Sequence, residues 1–199
     1  MTKGLRFVEN ISSLSKSEFE TLTKDLNSPF INYDFLSSLE LSKCVTSLTG
    51  WQPNHLISNE NNKLNGFMPL YLKDNSQGEF VFDHSWSYAL NRAGRKYYPK
   101  LLSAIPFTPC ESEKIIGNKL NNLFIKEVIE FMNLNKIETW HILFPDKNLK
   151  GDLRENNFIE RNGYKFVWKN KGYDTFEDYL NIFKSRQRKN IRTERRKIS

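Results

Sequence analysis

The chain has 199 residues, enough for one domain with a substantial core and marginal for two. Hydrophobic residues make up 38% and aromatic residues 14%, with 15 Phe and 8 Tyr, which excludes a disordered chain and predicts an aromatic-rich core. A formal net charge of +7, no apolar run near the ~20 residues that span a bilayer, and two distant cysteines, Cys44 and Cys110, exclude a membrane-spanning helix and a disulfide scaffold.

The elements follow in chain order. Leu5 to Glu9 reads as a short strand. Ser15-Lys-Ser-Glu18 reads as a capping box, in which the serine and the glutamate each satisfy the other's backbone N–H. A helix follows with Phe19, Leu22 and Leu26 inward, ending near Asn27-Ser28-Pro29. A second helix runs from about Tyr33 to Lys43, with Phe35, Leu36 and Leu39 at helical spacing. After Gly50 the period becomes that of strands: His55 to Ser58 and Leu64 to Leu72, joined by the turn Asn59 to Asn62, then Glu79 to Asp83. Ser85 to Gly94 predicts a helix with a glycine stop, and Leu101 to Ile105 a buried strand bounded by Pro99 and Pro106.

The clearest helix lies between Glu113 and Asn133, where Ile116, Leu120, Leu123, Phe124, Val128 and Phe131 form one apolar stripe. Thr139 to Phe144 reads as a strand, Leu149 to Asn156 as a short helix, and Phe158 to Lys169 as one long strand or a hairpin about Asn162-Gly163. Thr175 to Asp178 caps a last helix with Phe176, Tyr179, Leu180 and Phe183 on its apolar face. The order is β-α-α-β-β-β-(α)-β-α-β-α-β-α. It is an α/β (α+β) mixed-sheet chain, and two helices after the first strand, a meander and then alternation is the order expected of the GNAT acyltransferase fold.

Charge is concentrated at the end. Lys184 to Ser199 holds eight Lys or Arg and one acid, Glu194, so this segment carries the entire +7. Helical from Thr175 onward, it would extend ~35 Å at 1.5 Å per residue. Arg188, Arg192 and Arg195 share one face by their spacings of four and three, and guanidinium forks in a row suit phosphate oxygens. A solvated helix, or an end frayed by truncation, explains the same run.

Tyr71 to Pro109 is the densest aromatic and polar region. Alternation places Glu79, Val81 and Asp83 on one strand face. Asp83 stands at a strand end beside His84, but adjacent strand residues point to opposite sides, so the two do not form a dyad. Asp83 capping the following helix is the simpler reading. Tyr97-Tyr98-Pro99-Lys100 and Pro106-Phe107-Thr108-Pro109 frame an apolar strand, either as groove walls or as strand punctuation. His55, His84 and His141 with the two cysteines show no metal-ligand spacing. No P-loop, dinucleotide fingerprint or Gly-x-Ser-x-Gly occurs. The loop that would cradle a CoA pyrophosphate before a GNAT central helix corresponds to Phe107-Thr-Pro-Cys-Glu-Ser-Glu113, which has no glycine and carries acids where phosphate should go.

A set of stretches in order carries a resemblance. It runs through Pro29-Phe30, Tyr33-Asp-Phe-Leu36, Gly50-Trp-Gln-Pro53-x-His55-Leu56, Met68-Pro-Leu-Tyr-Leu-Lys73 and Gly78-Glu-Phe-Val-Phe-Asp83-x-x-Trp86. It continues through Arg92-x-Gly94, Tyr97 to Leu102, Pro106 to Pro109, His141-x-Leu-Phe-Pro145, Phe166-x-Trp168-x-Asn170-x-Gly172-Tyr173 and Arg188-Lys-Asn-Ile-Arg192-x-Glu194-Arg195. The set resembles the bacterial Fem-like peptidoglycan biosynthesis or recognition proteins of the GNAT superfamily. The resemblance implies a GNAT-like domain over residues 1–174 and a basic connecting helix over 175–199, stopping before a second GNAT-like half supplied in cis or by a partner chain. It implies transfer of an acyl or aminoacyl group to an amine of a cell-wall precursor, no cofactor in this half, and acyl-CoA or aminoacyl-tRNA as donor in the full-length protein. On that reading Asp83 is the catalytic candidate. Trp86, Tyr97, Tyr98, Lys100 and Phe107 line the substrate groove, and Arg188, Lys189, Arg192, Arg195 and Arg196 contact phosphates of an anionic substrate such as aminoacyl-tRNA or a nucleotide-linked precursor. Asp83→Asn should then cut turnover of the full-length protein without lowering its melting temperature, and the chain by itself should be inactive. Without an apolar leader at its N-terminus, a cytoplasmic location is expected. The rival is a non-catalytic module that binds RNA or a nucleotide precursor through its tail.

Overall fold

The computed structural model describes residues 4–26, 28–164 and 166–198. Met1–Lys3, Asn27, Lys165 and Ser199 lie outside them. The N-terminal leader reading, part of the Phe158–Lys169 strand and the reading of Ser199 as a terminus fall there, while the first helix ends at Thr23, short of the expected Asn27-Ser28-Pro29. The chain divides into two compact units, Met1–Ile159 and Glu160–Ser199, a boundary upstream of Thr175.

The first unit contains β1 (Gly4–Val8), α1 (Lys16–Thr23), α2 (Tyr33–Leu41), β2 (Gln52–Pro53), β3 (His55–Glu60), β4 (Lys63–Met68) and β5 (Tyr71–Lys73). It continues with α3 (His84–Arg92), β6 (Lys100–Ser103), α4 (Asn121–Asn135), β7 (Trp140–Ile142) and α5 (Lys147–Glu155). One sheet is antiparallel in the order β1-β3-β4; the other is mixed, β2-β5-β6-β7, with β6 and β7 parallel and α4 between them in the chain. The class is α/β with a mixed sheet. A strand, two helices, a meander and then helix–strand alternation follow one another as the sequence predicts.

Strand periodicity explains the layers. Leu56 and Ile57 are neighbours on β3 and point to opposite faces. Leu56 and Met68 join the core containing Phe124, Ile125 and Val128 of α4. Ile57 and Phe67 join the core containing Phe19 of α1 and Leu36 of α2. Each such fully buried side chain contributes about 1.5–3 kcal/mol. Gly66 permits the close approach of α4, since a Cβ there would lie 2.3 Å from Leu120 Cδ1. Ser15 caps α1 by accepting the Glu18 N–H, but the expected reciprocal bond is replaced: the Glu18 carboxylate accepts the Leu64 N–H of β4.

Leu64 to Leu72, expected as one strand, is two. Pro69 has no N–H to give to a ladder. Here the chain passes from one sheet to the other, and the junction is held by Asn54 N–H donating to Leu70 O (2.8 Å) and Leu70 N–H donating to His55 Nδ1 (3.3 Å). An imidazole that accepts at Nδ1 carries its proton at Nε2, which donates to Glu40 Oε1 at 3.0 Å. The other Glu40 oxygen accepts the Ile11 N–H, so one carboxylate ties α2 to the sheet junction and to the segment after β1.

The expected strand Glu79–Asp83 is irregular backbone, and no strand lies among the described residues of Phe158–Lys169. The helix expected from Glu113 begins only at Asn121. Ile116 fits its stripe, yet its N–H and C=O pair with Phe67 on the edge of β4, which would otherwise lack partners there. In the same connection Lys114 is buried and donates from Nζ to Ser112 O, Ser112 Oγ and Phe144 O at 2.7–3.0 Å.

Burial lowers the Lys114 pKa from 10.5 to about 8, against smaller opposing effects of Cys110, Asp146 and the two nearby glutamates. Between those two values the unfolded chain binds more protons than the folded one, so stability rises with pH across that window. Unfolding free energy from urea titrations at pH 8 and 9.5 should therefore increase with pH. The increase should be smaller in Lys114→Met; an equal slope in the variant would remove Lys114 as its source.

Candidate functional site

Lys73 of β5 and Lys100 of β6 are paired directly in register and both are completely buried. Like charges at opposed positions repel, and each ammonium loses its hydration. The loop between β5 and α3 supplies the compensation. Lys100 Nζ donates to Asp83 Oδ2 (2.5 Å), Ser76 Oγ (2.7 Å) and Glu79 Oε2 (2.9 Å). The second Glu79 oxygen lies 3.9 Å from Lys73 Nζ, so this carboxylate stands between the two lysines. Lys73 Nζ also sits 3.8 Å from the Trp51 ring centroid and donates to Gln77 O, which accepts Trp51 Nε1–H as well.

Asp83 occupies the N-cap position of α3 without capping it. Its Oδ2 instead accepts from Ser76, Tyr97 (2.6 Å) and Lys100, while Oδ1 is buried without a hydrogen-bond partner, as is Glu79 Oε1. Burial alone would raise the Asp83 pKa; the Lys100, Tyr97 and Ser76 hydrogen bonds outweigh it and hold the carboxyl at about 2. Burial raises Glu79 despite Lys100 and Lys73. Burial also lowers Lys73 to about 8 against the opposing Glu79 charge. Tyr97 is pushed well above its ordinary value, first by burial and then by Asp83, so it remains a phenol.

The structure therefore brings Asp83, Tyr97, Tyr98 and Lys100 together, and places three of them in the interior. Tyr98 is half-buried, its hydroxyl 2.7 Å from Ser76 Oγ and its ring 4.9 Å from that of Tyr97. Trp86 is 42% exposed on α3, a helix with no buried residue. Phe107 is 41% exposed and its ring lies 5.3 Å from that of Trp51. Gly78, at φ +77, makes room for it: a Cβ there would be 2.5 Å from Phe107 Cε1. His84 is exposed and takes no part.

Lys73, Ser76, Glu79 and His141 complete the cluster and were not among the sequence candidates. Tyr97 Oη lies 3.1 Å from His141 Nε2. The sequence signal was a lysine at the edge of each of two apolar strands, with three acids, Asp74, Glu79 and Asp83, in the segment between them. No group of three or more His, Cys, Asp or Glu able to hold a metal occurs among the described residues. No helix among them is long and apolar enough to cross a membrane.

In the second unit, α6 (Phe176–Asn181) starts with the expected box, Thr175 and Asp178 each satisfying the other's N–H. The helix does not continue. It breaks at Ile182–Lys184 and restarts as α7 (Ser185–Ile198), giving ~21 Å of basic helix at 1.5 Å per residue. Arg188, Arg192 and Arg195 do share a face, and it is turned toward α6 and the residues just after it. Arg188 donates to Phe183 O, Arg192 pairs with Glu177, and the Arg195 guanidinium lies 4.2 Å from the Phe176 ring centroid. Arg186 and Lys197 lie on the opposite face, and Lys189 and Arg196 on the flank between, all exposed. The unit holds twelve Lys or Arg against five acids, so it carries the whole +7.

Comparison with known proteins assigns a family to this mixed-sheet body with its buried ion cluster and basic helical hairpin. The FemAB-like family, described as peptidoglycan biosynthesis/recognition, matches residues 10–199. The chain belongs to that family. It also aligns with the aminoglycoside antibiotic 6'-N-acetyltransferase AAC(6')-IG from Acinetobacter haemolyticus, at 10% identity and a TM-score of 0.40, over 86% of this chain and 99% of that one. No curated protein matches it.

Breaking a buried pair by removing one partner costs about 3–5 kcal/mol. Asp83→Asn should thus lower stability by about that much, against the expectation that its melting temperature would be unchanged. The double variant with Lys100→Met should recover part of the loss in urea denaturation. Additive losses would show that the two side chains do not depend on each other.

Proposed function

We propose that the protein takes part in transfer of an acyl or aminoacyl group to an amine of a cell-wall precursor. Family membership over nearly the whole chain carries this reading. The cluster supports it chemically. Acyl transfer to an amine needs a positioned acceptor and a path for one proton more than an unusual base. Asp83, Tyr97 and Lys100 form a rigid, charge-balanced floor, and Trp86, Tyr98 and Phe107 offer accessible aromatic surface for the acceptor. The connection before α4 carries Glu111 and Glu113, whose charge opposes a pyrophosphate there. That composition favours donor contacts elsewhere, with aminoacyl-tRNA or acyl-CoA as the donors to test.

The test is transfer by the native full-length protein from each donor to nucleotide-linked muropeptide acceptors, read by mass spectrometry. Product from at least one donor is expected. No product from either donor refutes the reading.

One observation favours a second role, binding of RNA or a nucleotide-linked precursor by the second unit. Arg186, Lys189, Arg196 and Lys197 are exposed along α7, beside and opposite the arginines that contact α6 and its end. Each phosphate contact on a single strand contributes about 0.7 to the salt slope of affinity, so replacing all four by Gln should reduce that slope by about 3. Arg192→Gln should instead destabilise the hairpin. Binding of a single-stranded RNA oligonucleotide, titrated from 50 to 200 mM salt (roughly the range over which such contacts are read), decides it; flat salt dependence sinks this role.

A further inference from the structure

Residues 161–173 of the second unit hold four aromatic rings and no acid. Tyr164, Phe166 and Trp168 alternate in the pattern that predicts a strand, yet no strand forms among the described residues there. Tyr164 and Phe166 are fully exposed and Trp168 is 63% exposed. A run of large apolar rings in water marks a contact surface rather than a core. Trp168 is nonetheless held in place. Its ring lies 6.0 Å from that of Tyr179 and 6.4 Å from that of Tyr173, tilted by 30° from the latter. Tyr179 in turn meets Phe183 edge-on at 5.1 Å, so α6 and its end give the exposed rings an anchored base. Lys169 and Lys171 are exposed in the same segment.

Charge decides what covers these rings. An apolar protein groove would have to enclose Lys169 and Lys171 with them, in a unit of twelve cations and five acids, and burying an unmatched ammonium is costly. A single-stranded nucleic acid meets both demands, since each nucleotide presents one flat π-face and one phosphate. We propose that Tyr164, Phe166 and Trp168 form a base-stacking platform for single-stranded RNA, with Lys169, Lys171 and the exposed cations of α7 on its phosphates; this rests on the RNA-binding role given above. The platform adds a second, chemically different component of affinity to that role. Phosphate contacts release counterions and weaken as salt rises, whereas stacking on a neutral ring releases none. Rings read the flatness of a base and not its edge, so the platform separates unpaired from paired bases without choosing among them. In a duplex the base faces are already covered.

The native full-length protein is titrated, over the same salt range, with a uridine oligoribonucleotide and with an abasic oligoribonucleotide of the same length. The uridine oligonucleotide should bind more tightly by about 5- to 100-fold for each ring engaged, with the same salt slope for both. Phe166→Ala should weaken its binding by a factor in that range and leave abasic binding and the circular dichroism spectrum unchanged, because a fully exposed ring packs on nothing. Tyr164→Ala repeats the measurement at the other exposed ring. The fluorescence of Trp168, taken as the difference between the native protein and Trp168→Phe, should be quenched by the uridine oligonucleotide and not by the abasic one. Equal affinity for the two oligonucleotides, or full affinity in the double variant of Phe166→Ala with Tyr164→Ala, overturns the platform. Where that equal affinity falls steeply with salt, phosphate binding by α7 stands and stacking alone fails. Where neither oligonucleotide binds, the RNA-binding role and the platform fail together.

Discussion

Two lysines facing each other across β5 and β6 set the main constraint on this molecule. Water would normally disperse such a pair, but here both ammonium groups are enclosed. The strands can pair in this register only if negative charge enters the same space. Glu79 and Asp83 provide it, and the length of the loop that carries them follows from that need. Residues 74–83 fold back over the strand pair, the aspartate gives up its cap on α3, and Tyr97 and Ser76 are fixed by the oxygen they share. Replacing such a cluster by apolar side chains is often neutral or stabilising in proteins, so its presence signals a use other than stability.

The same constraint explains why the site is asymmetric. Asp83 Oδ2 accepts three hydrogen bonds while Oδ1 accepts none, and Glu79 divides its oxygens between two lysines unequally, 2.9 Å against 3.9 Å. The burial that raises Glu79 and lowers Lys73 also makes every hydrogen bond to Asp83 count for more, because little solvent competes. Asp83 is therefore the group whose charge is most firmly held, and Tyr97 is the group through which that charge reaches outward. A carboxylate in this position can orient and polarise the groups it holds.

What was legible in the sequence was residue chemistry and period, and what was not was direction. Asp83, Tyr97 and Lys100 are conspicuous as polar residues in an aromatic segment, and they do meet. Strand alternation placed Glu79, Val81 and Asp83 on one strand face, whereas the backbone there is irregular and both acids are buried. Ile116 shows the same limit: its spacing fits the helix that begins at Asn121, but an unpaired strand edge at Phe67 recruits its backbone first. Pro69 marked the break between β4 and β5 in plain view, yet only the His55 acceptor reveals how the freed Leu70 N–H is satisfied. His141 was invisible as a site residue because its partner lies 44 positions away, on no common element.

Charge is partitioned by a different rule in each unit. In the first, cations and anions are matched to the point of neutrality, and the buried Lys73 and Lys100 are met by Glu79 and Asp83, while the buried Lys114 is held by oxygens without charge. In the second, five acids cannot match twelve cations. Glu177 takes Arg192, a ring takes Arg195 and a carbonyl takes Arg188, so the face of α7 with structural work is satisfied locally. Arg186, Lys189, Arg196 and Lys197 are exposed along α7, and repulsion among like charges on one helix is a cost that folding does not require. An isolated helix of fourteen residues is marginal in water even without that cost. The contacts of Arg188, Arg192 and Arg195 with α6 and its end therefore support the helix against the repulsion of the cations exposed along it.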